Sequence, residues 1–372
     1  MSTRVKCLSK TCRASSLMAD NDLTQDLVAE VSAAVQQRQP LQIKGGNSKH
    51  FYIHQDPHSD DLPTLDVSRH IGIVDYEPSE LYITARCGTP LKLIEETLAA
   101  HNQMLAFEPP AFADSATIGG TVACGLAGPR RPYAGACRDA MLGADIINGL
   151  GQHLSFGGQV MKNVAGYDVS RAMCGALGTL GVILQVSLKV MPMPQQETTV
   201  RIECDLSTAL HTLISLSQTS IPVSASYFEA DSLYLRLELS GAELASFQAA
   251  HGAEVVAQND FWIHVKEHQN SFFSREQALW RCSLPIASAA LNINGTLACE
   301  WNAGLHWYKS NDDSAKIIAA ANQAGGHARL FNYPKPTSQS AMAPAIMALH
   351  KRIKHAFDPH RLLNPGQLDP EL

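Results

Sequence analysis

The sequence predicts an α+β fold built as two units, and three observations carry that expectation. Short alternating apolar segments are interleaved with stretches of helical period, yet no Rossmann fingerprint opens a βαβ unit. The near miss Gly149-Leu150-Gly151-Gln152-His153-Leu154 has leucine where the third glycine belongs. Glycine and alanine crowd residues 109–181 while charges thin out, and Met191-Pro192-Met193-Pro194 then opens a region of ordinary composition. Paired prolines of that kind mark a boundary. A chain of 372 residues has room for two units at roughly 100–200 residues each. With 45% apolar and 17% charged residues it can bury a core in both, which excludes disorder as its overall state.

The elements follow in order. Residues 1–19 are basic without a long apolar core, so they read as a disordered leader rather than a secretory signal, with Met18 as an alternative start. Leu27, Val28, Val31 and Val35 set a helical period over Leu23–Gln37, and Pro40 stops it. Leu41–Ile43 is a short strand running into Gly45-Gly46-Asn47-Ser48-Lys49. Ile71–Tyr76 and Leu81–Arg86 are strands. Thr89 and Pro90 suit the N-cap and first position of a helix bearing Leu91, Ile94 and Leu98 on one face. Asn148-Gly149-Leu150-Gly151 turns a hairpin between Met141–Asn148 and His153–Ser155. Ala172–Leu188 is a long uncharged stretch, too short and too rich in glycine for a membrane helix, and reads as a buried turn followed by a strand. Beyond the proline pair, strands are expected at Tyr234–Leu239 and Asn292–Ala298, and helices at Ser240–Ala250, Trp262–Leu279 and Ala343–Phe357. Asn364-Pro365-Gly366 makes a closing turn.

Composition narrows the function. A net charge of −6 gives no general attraction to phosphate backbones, and 6% aromatics offer little for base stacking, so nucleic acid is not the expected partner. Nine cysteines without a CxxC point to a reducing compartment and leave no local run to hold an iron–sulfur cluster.

Four motifs carry chemistry or mimic it. In Lys44-Gly45-Gly46-Asn47-Ser48-Lys49-His50, consecutive glycines after a strand let several backbone N–H groups converge on an anion such as a pyrophosphate, with Ser48 and Lys49 adding donors. An ordinary glycine turn explains that segment equally well. Asp114–Ala123, containing Ser115, Thr117, Gly119, Gly120, Thr121 and Ala123, offers small residues able to line an extended ligand, or a tight loop packing between layers. His264-Val265-Lys266-Glu267-His268 matches the HxxEH of a zinc metallopeptidase, in which a helix would bring both histidines to one face. No third ligand accompanies it, and the aromatic flanks suit a packed helix better. Lys351-Arg352 with Lys354-His355 reads as a solvated helix face.

Taken in order, the GGNS loop, ATIGGTVA at 116–123, KNVAGYDVSR at 162–171, GALGTLGVI at 175–183 and FDPHRLLNPG at 357–366 resemble the FAD-linked oxidases of the vanillyl-alcohol-oxidase type, with a PCMH-type FAD-binding domain. Within that superfamily the chain looks most like the FAD-binding subunits of bacterial glycolate oxidases. The resemblance implies a two-part FAD-binding domain at 20–192, a smaller α+β cap domain at 193–335, and a C-terminal segment at 336–372 packing back on the first domain. It places the pyrophosphate of FAD on Gly45–Lys49, runs Ser115–Ala123 beside the cofactor, and brings the backbone of Gly181, Val182 and Ile183 to the adenine end. Asn47 stands where covalent relatives carry a histidine, so the FAD is expected to be non-covalent. The catalytic subunits of such enzymes carry a His-x-His-x-Gly-Asp-Gly-Asn type motif that this chain lacks. Catalysis is therefore assigned to a sister flavin subunit, with an iron–sulfur subunit passing electrons on. The substrate of the complex would be a small 2-hydroxy acid, glycolate or also D-lactate. No direct membrane span is expected, and the location is cytoplasmic, peripheral at the inner membrane through the complex. A stand-alone FAD dehydrogenase of a hydroxy acid or alcohol is the alternative, and Glu300 and His306 are its candidate polar groups.

Overall fold

The computed structural model describes residues 20–53, 61–158, 169–258, 260–273, 277–332, 342 and 344–372. The 1–19 leader and the Lys162–Asp168 motif lie outside the described residues.

The first unit is built on β1 (Gln42–Lys44), β2 (Thr64–Asp66), β3 (Ile73–Glu77), β4 (Tyr82–Arg86), β5 (Gln103–Met104), β6 (Met141–Ile147), β7 (His153–Gly157), β8 (Val182–Lys189) and β9 (Met191–Pro192). Five of them form an antiparallel sheet in the order β3-β4-β8-β6-β7, and β1 pairs with β2 in parallel beside it. β8 joins β4 to β6 and is buried on both faces, which is why VILQVSLK reads as a nearly continuous apolar run. The helices Thr24–Gln37, Leu91–Ala99 and Ile118–Cys124 bring Val31, Leu91, Ile94, Leu98 and Ile118 into one core with Ile146, Leu184 and Leu188. Thr89 is not the cap expected of it. Pro90 holds the N-cap position, while the Thr89 hydroxyl accepts from the Gly72 N–H at 3.0 Å and donates to its carbonyl at 3.1 Å.

The second unit is an eight-stranded antiparallel sheet of β10 (Thr198–Glu203), β11 (Val223–Glu229), β12 (Ser232–Leu237), β13 (Glu254–Val255), β14 (Leu279–Ser283), β15 (Thr296–Glu300), β16 (Leu305–Lys309) and β17 (His327–Asn332). Its order is β13-β10-β12-β11-β15-β16-β14-β17. Strand alternation splits its side chains between two faces. On one, the helices Leu206–Ser217, Gly241–His251 and Ser314–Gln323 cover two apolar cores. The other face, carrying Tyr227, Ala298, Leu305, Trp307 and Phe331, packs against Phe51, Phe112 and Leu126 of the first unit.

Two elements expected beyond the proline pair take other bounds. Trp262–Leu279 is not a continuous helix. Helix Phe261–Lys266 ends because the Glu267 carboxylate turns away to accept the backbone N–H groups of Ala111 and Phe112, and His268 takes a left-handed φ of 54°. Ser271–Phe273 then forms a 3-10 turn burying Phe272 and Phe273. The strand expected at Asn292–Ala298 starts only at Thr296, because Asn294 is held by Asp312.

Helix Pro344–Phe357 and the tail after it return to the first unit. The Leu41 N–H donates to the Leu362 carbonyl at 2.7 Å, and the Asn364 N–H donates to the Leu41 carbonyl at 3.0 Å. Lys354 is not part of a solvated face. It is 4% exposed and donates to the carbonyls of Thr179 at 2.7 Å and Leu363 at 2.9 Å and to Asp358 at 2.8 Å.

Candidate cofactor site

β1 delivers the chain into the Gly45–Lys49 loop at the mouth of a cavity open to solvent. Asn47 adopts φ 57° in this loop, so the backbone turns its N–H groups toward one side. Among the described residues, the N–H groups of Gly45, Gly46, Asn47, Ser48 and Lys49 have no hydrogen-bond acceptor. Five adjacent donors left open are costly unless an anion or water receives them. A Cβ on residue 46 would lie 1.4 Å from the Ser115 carbonyl oxygen, so any residue but glycine forces this loop to shift. Ser115 fixes the loop from the other side by donating its hydroxyl to the Gly46 carbonyl at 2.6 Å.

Lys49 is 6% exposed and lines the same cavity. Its ammonium has only the Ser48 hydroxyl and the Ala111 carbonyl, both at 3.4 Å, and no carboxylate within 4.0 Å among the described residues. Burial lowers its pKa, as expected of a cation whose partner is not a side chain.

The opposite wall is helix Ile118–Cys124. Thr117 caps it by accepting the Gly120 N–H at 3.2 Å, and Gly119 lies so close to Cys87 that a Cβ would meet it at 2.5 Å. Thr117, Gly119, Gly120, Ala123 and Cys124 face the cavity, as do Leu177, Gly178, Gly181 and Ile183 from the turn before β8 and its start. Burial pushes the Cys124 thiol up to about 11, which keeps it protonated.

Of the residues singled out from sequence, Gly45, Gly46, Asn47, Ser48, Lys49, Thr117, Gly119, Gly120, Ala123, Gly181 and Ile183 line this one cavity. Three others do not. Ser115 holds the loop from behind, Val182 points into the core at 0% exposure, and Thr121 is buried with its hydroxyl unpartnered among the described residues. Sequence reasoning missed Asn364 and Gln367, which line the cavity from the tail. Asn364 accepts the Ile43 N–H and donates to the Leu177 carbonyl, both at 2.7 Å, so it ties two walls together. The Asn-Pro-Gly turn was visible in the sequence, but nothing local tied it to residues 43 and 177.

The cradle fits an elongated ligand with a diphosphate: open N–H donors at one end, a buried ammonium nearby, and glycine walls that allow close approach. Residues 22–172 match the family described as FAD binding domain, and residues 335–368 match the FAD linked oxidases, C-terminal domain. The chain is 41% identical over 356 residues to the glycolate oxidase subunit GlcE of Escherichia coli (strain K12), covering 96% of this chain and all of that one. The chain belongs to the PCMH-type FAD-linked oxidase family. The D-lactate dehydrogenase of Archaeoglobus fulgidus is 26% identical over 76% of both chains. The glycolate oxidase subunit GlcD of Bacillus subtilis is 30% identical over 33% of this chain and 27% of its own. A solved alkyldihydroxyacetonephosphate synthase superimposes with a TM-score of 0.64 at 14% identity, covering 93% of this chain and 76% of that one, which speaks for the fold alone. As a member of this family the chain is a flavoprotein with FAD as cofactor and a component of an FAD-dependent oxidoreductase.

The remaining motifs resolve differently. His264 lies 3.4 Å from Asp260, the Glu267 carboxylate is occupied by backbone N–H groups, and His268 stacks on Phe273 with ring centroids 3.9 Å apart. Among the described residues no group of three or more His, Cys, Asp or Glu side chains could hold a metal ion. No helix among them is long and apolar enough to cross a membrane. Glu300 and His306 do not act together. Glu300 faces the first unit, whereas His306 lies in the row Cys282–His306–Cys299 on the helix-covered face.

Proposed function

We propose that this chain is the FAD-binding subunit of a multi-subunit glycolate oxidase that converts glycolate to glyoxylate and also accepts D-lactate. What carries the reading is the row of open N–H donors from Gly45 to Lys49 in a chain that aligns end to end with a glycolate oxidase subunit. In this reading residues 20–192 and 336–372 form the flavin unit and residues 193–335 the cap. The loop 45–49 receives the diphosphate, Lys49 balances its charge, and Thr117–Ala123 and Gly181–Ile183 flank the rest of the cofactor. The bound flavin supplies a two-electron acceptor. The chain's own residues hold it and shield it from water. The FAD is non-covalent, since Asn47 has no nucleophilic ring nitrogen to offer. A sister flavin subunit carries the catalytic histidines and an iron–sulfur subunit takes the electrons onward, with the assembly in the cytoplasm, peripheral at the inner membrane. Similarity to the separate relative named glycolate oxidase subunit GlcD supports a complex of related flavin chains.

The test is the visible spectrum of the purified chain before and after denaturation. A flavin band released into the supernatant on denaturation is the expected result, and Gly46→Ala should abolish it while leaving a folded chain by circular dichroism. Colourless protein that FAD cannot reconstitute, or flavin that stays with the denatured chain, overturns the cofactor assignment or its non-covalent form respectively.

A further inference from the structure

An open groove of 440 Å³ runs along the seam between the two units and shares no lining residue with the flavin cavity. Helix Leu91–Ala99 forms one bank and helix Phe261–Lys266 the other. Its floor is apolar and preformed. Leu105 is 3% exposed, and Trp262 is fixed by donating its indole N–H to the Thr199 hydroxyl at 2.9 Å. Its lips are apolar as well, with Met193 45% and Ile263 55% exposed. Large apolar side chains left in water at both lips of one groove, inside a charged rim, mark a surface that a partner covers.

The charge along this seam is one-sided. Arg130 and Arg236 are shared among Glu108, Glu197 and Glu238. Lys266 is shared between Glu95 at 3.8 Å and Glu267 at 3.4 Å. Glu96, exposed on the rim, adds a sixth carboxylate with no cation within 4.0 Å among the described residues. Six carboxylates thus stand against three cations, and all three cations are already engaged. A cleft with low-dielectric walls concentrates such a negative field. An anion would be repelled, and a neutral apolar ligand would leave the rim uncompensated. An apolar side chain carried between lysines or arginines satisfies both floor and rim.

We propose that this groove is the docking site for the sister flavin subunit, which inserts an apolar side chain flanked by lysine or arginine. The choice of that partner rests on the multi-subunit reading above, whereas the apolar and acidic chemistry of the groove does not. A second copy of this chain is the competing occupant, because helix Pro344–Phe357 exposes Ile346 and Leu349 close in sequence to Arg352. That contact would be heterologous, joining two different surfaces, and would close only as a ring or run on into a filament. A different chain fills the groove once and stops.

The experiment titrates the purified sister flavin subunit into the FAD-loaded full chain and follows association by sedimentation. Ile263→Glu and Glu96→Lys alter exposed side chains of the groove and leave the flavin cavity untouched. Each should weaken association tenfold or more, with flavin content and melting temperature unchanged. Ile286→Glu, at a 74%-exposed position outside the groove, should associate like the natural chain. Raising the salt from about 50 to about 300 mM should weaken the natural pair, because the rim charges are screened. Natural affinity in both groove variants overturns the site and leaves the multi-subunit reading standing. No association of the natural chain with the sister subunit overturns both. Association lost in the groove variants, in a complex that leaves glycolate unchanged, upholds the site and overturns the substrate reading. Self-association of the natural chain that Ile263→Glu abolishes makes a second copy the occupant and overturns the proposal.

Discussion

Glu300 shows how a single buried carboxyl makes stability depend on pH. Its carboxyl is 4% exposed and sits near 7 rather than at the ordinary 4.5, chiefly through desolvation, with the Trp307 indole and Arg281 acting the other way. The folded value lies above the unfolded one. The contribution to stability is therefore fully present below 4.5 and is lost as pH rises through about 7, a loss of about 3 kcal/mol. Glu300→Gln should remove that part of the pH dependence and be the more stable protein at about pH 8. Urea midpoints of the two proteins from acid to mildly alkaline pH check this, and parallel curves would sink it. The sequence alone singled out Glu300 as a polar residue of interest but not its state. Desolvation depends on what three other strands and a loop of the first unit place around it.

At the scale of elements, the tail helix is anchored by one internal cation. Lys354 is buried against the 0%-exposed Asp358, whose carboxylate also accepts the N–H groups of Leu362 at 3.0 Å and Leu363 at 2.8 Å. Removing one partner of a buried pair leaves the other charge uncompensated, at a cost of about 3 to 5 kcal/mol. Lys354→Met should lower stability by that amount in urea unfolding. It should also shorten flavin retention on dilution, because Thr179, whose carbonyl Lys354 holds, follows the Leu177–Gly178 wall of the cavity. Unchanged retention would show that the tail does not brace the cofactor. The basic run was legible as a helix face, yet its neighbours in sequence could not show that one of its four side chains turns inward. The HxxEH segment fails for a similar reason. Its spacing presupposes a continuous helix, and a tertiary claim on Glu267 by two N–H groups ends that helix early.

Across the whole molecule, the two units are joined by an ionic cluster as well as by the aromatic core. Arg130 and Glu108 come from the first unit, and Glu197, Arg236 and Glu238 from the region of the second sheet. Arg130 is 3% exposed and reaches Glu108 at 3.3 Å and Glu197 at 2.5 Å, while Arg236 reaches Glu108 at 2.8 Å. Arg130→Met leaves the half-buried carboxylates of Glu108 and Glu197 with Arg236 as their one remaining cation among the described residues, which should cost about 1 to 3 kcal/mol. In the natural chain, tryptophan fluorescence, confined to residues 262–307, and flavin release should change together on heating. In the variant they should separate, with the two units coming apart before the second loses its tryptophan signal. Coincident transitions in Arg130→Met would show that the apolar contact is sufficient.

What the sequence determined by itself was everything encoded at short range. Apolar period placed the helix from Thr24 and the strand β8, glycine spacing marked a loop able to receive an anion, and paired prolines marked the passage from one sheet to the other. Motif order then supplied the family, because several weak signals in a fixed sequence are jointly specific. Tertiary structure alone decided which small residues share one wall, that Asn364 closes the flavin cavity from nearly 200 residues beyond Leu177, and that Arg281 stands opposite Arg329 across β14 and β17. Such facts depend on burial and on strand neighbours remote in the chain. Desolvation and cross-strand charge are properties of a packed surface, which no window along the sequence contains.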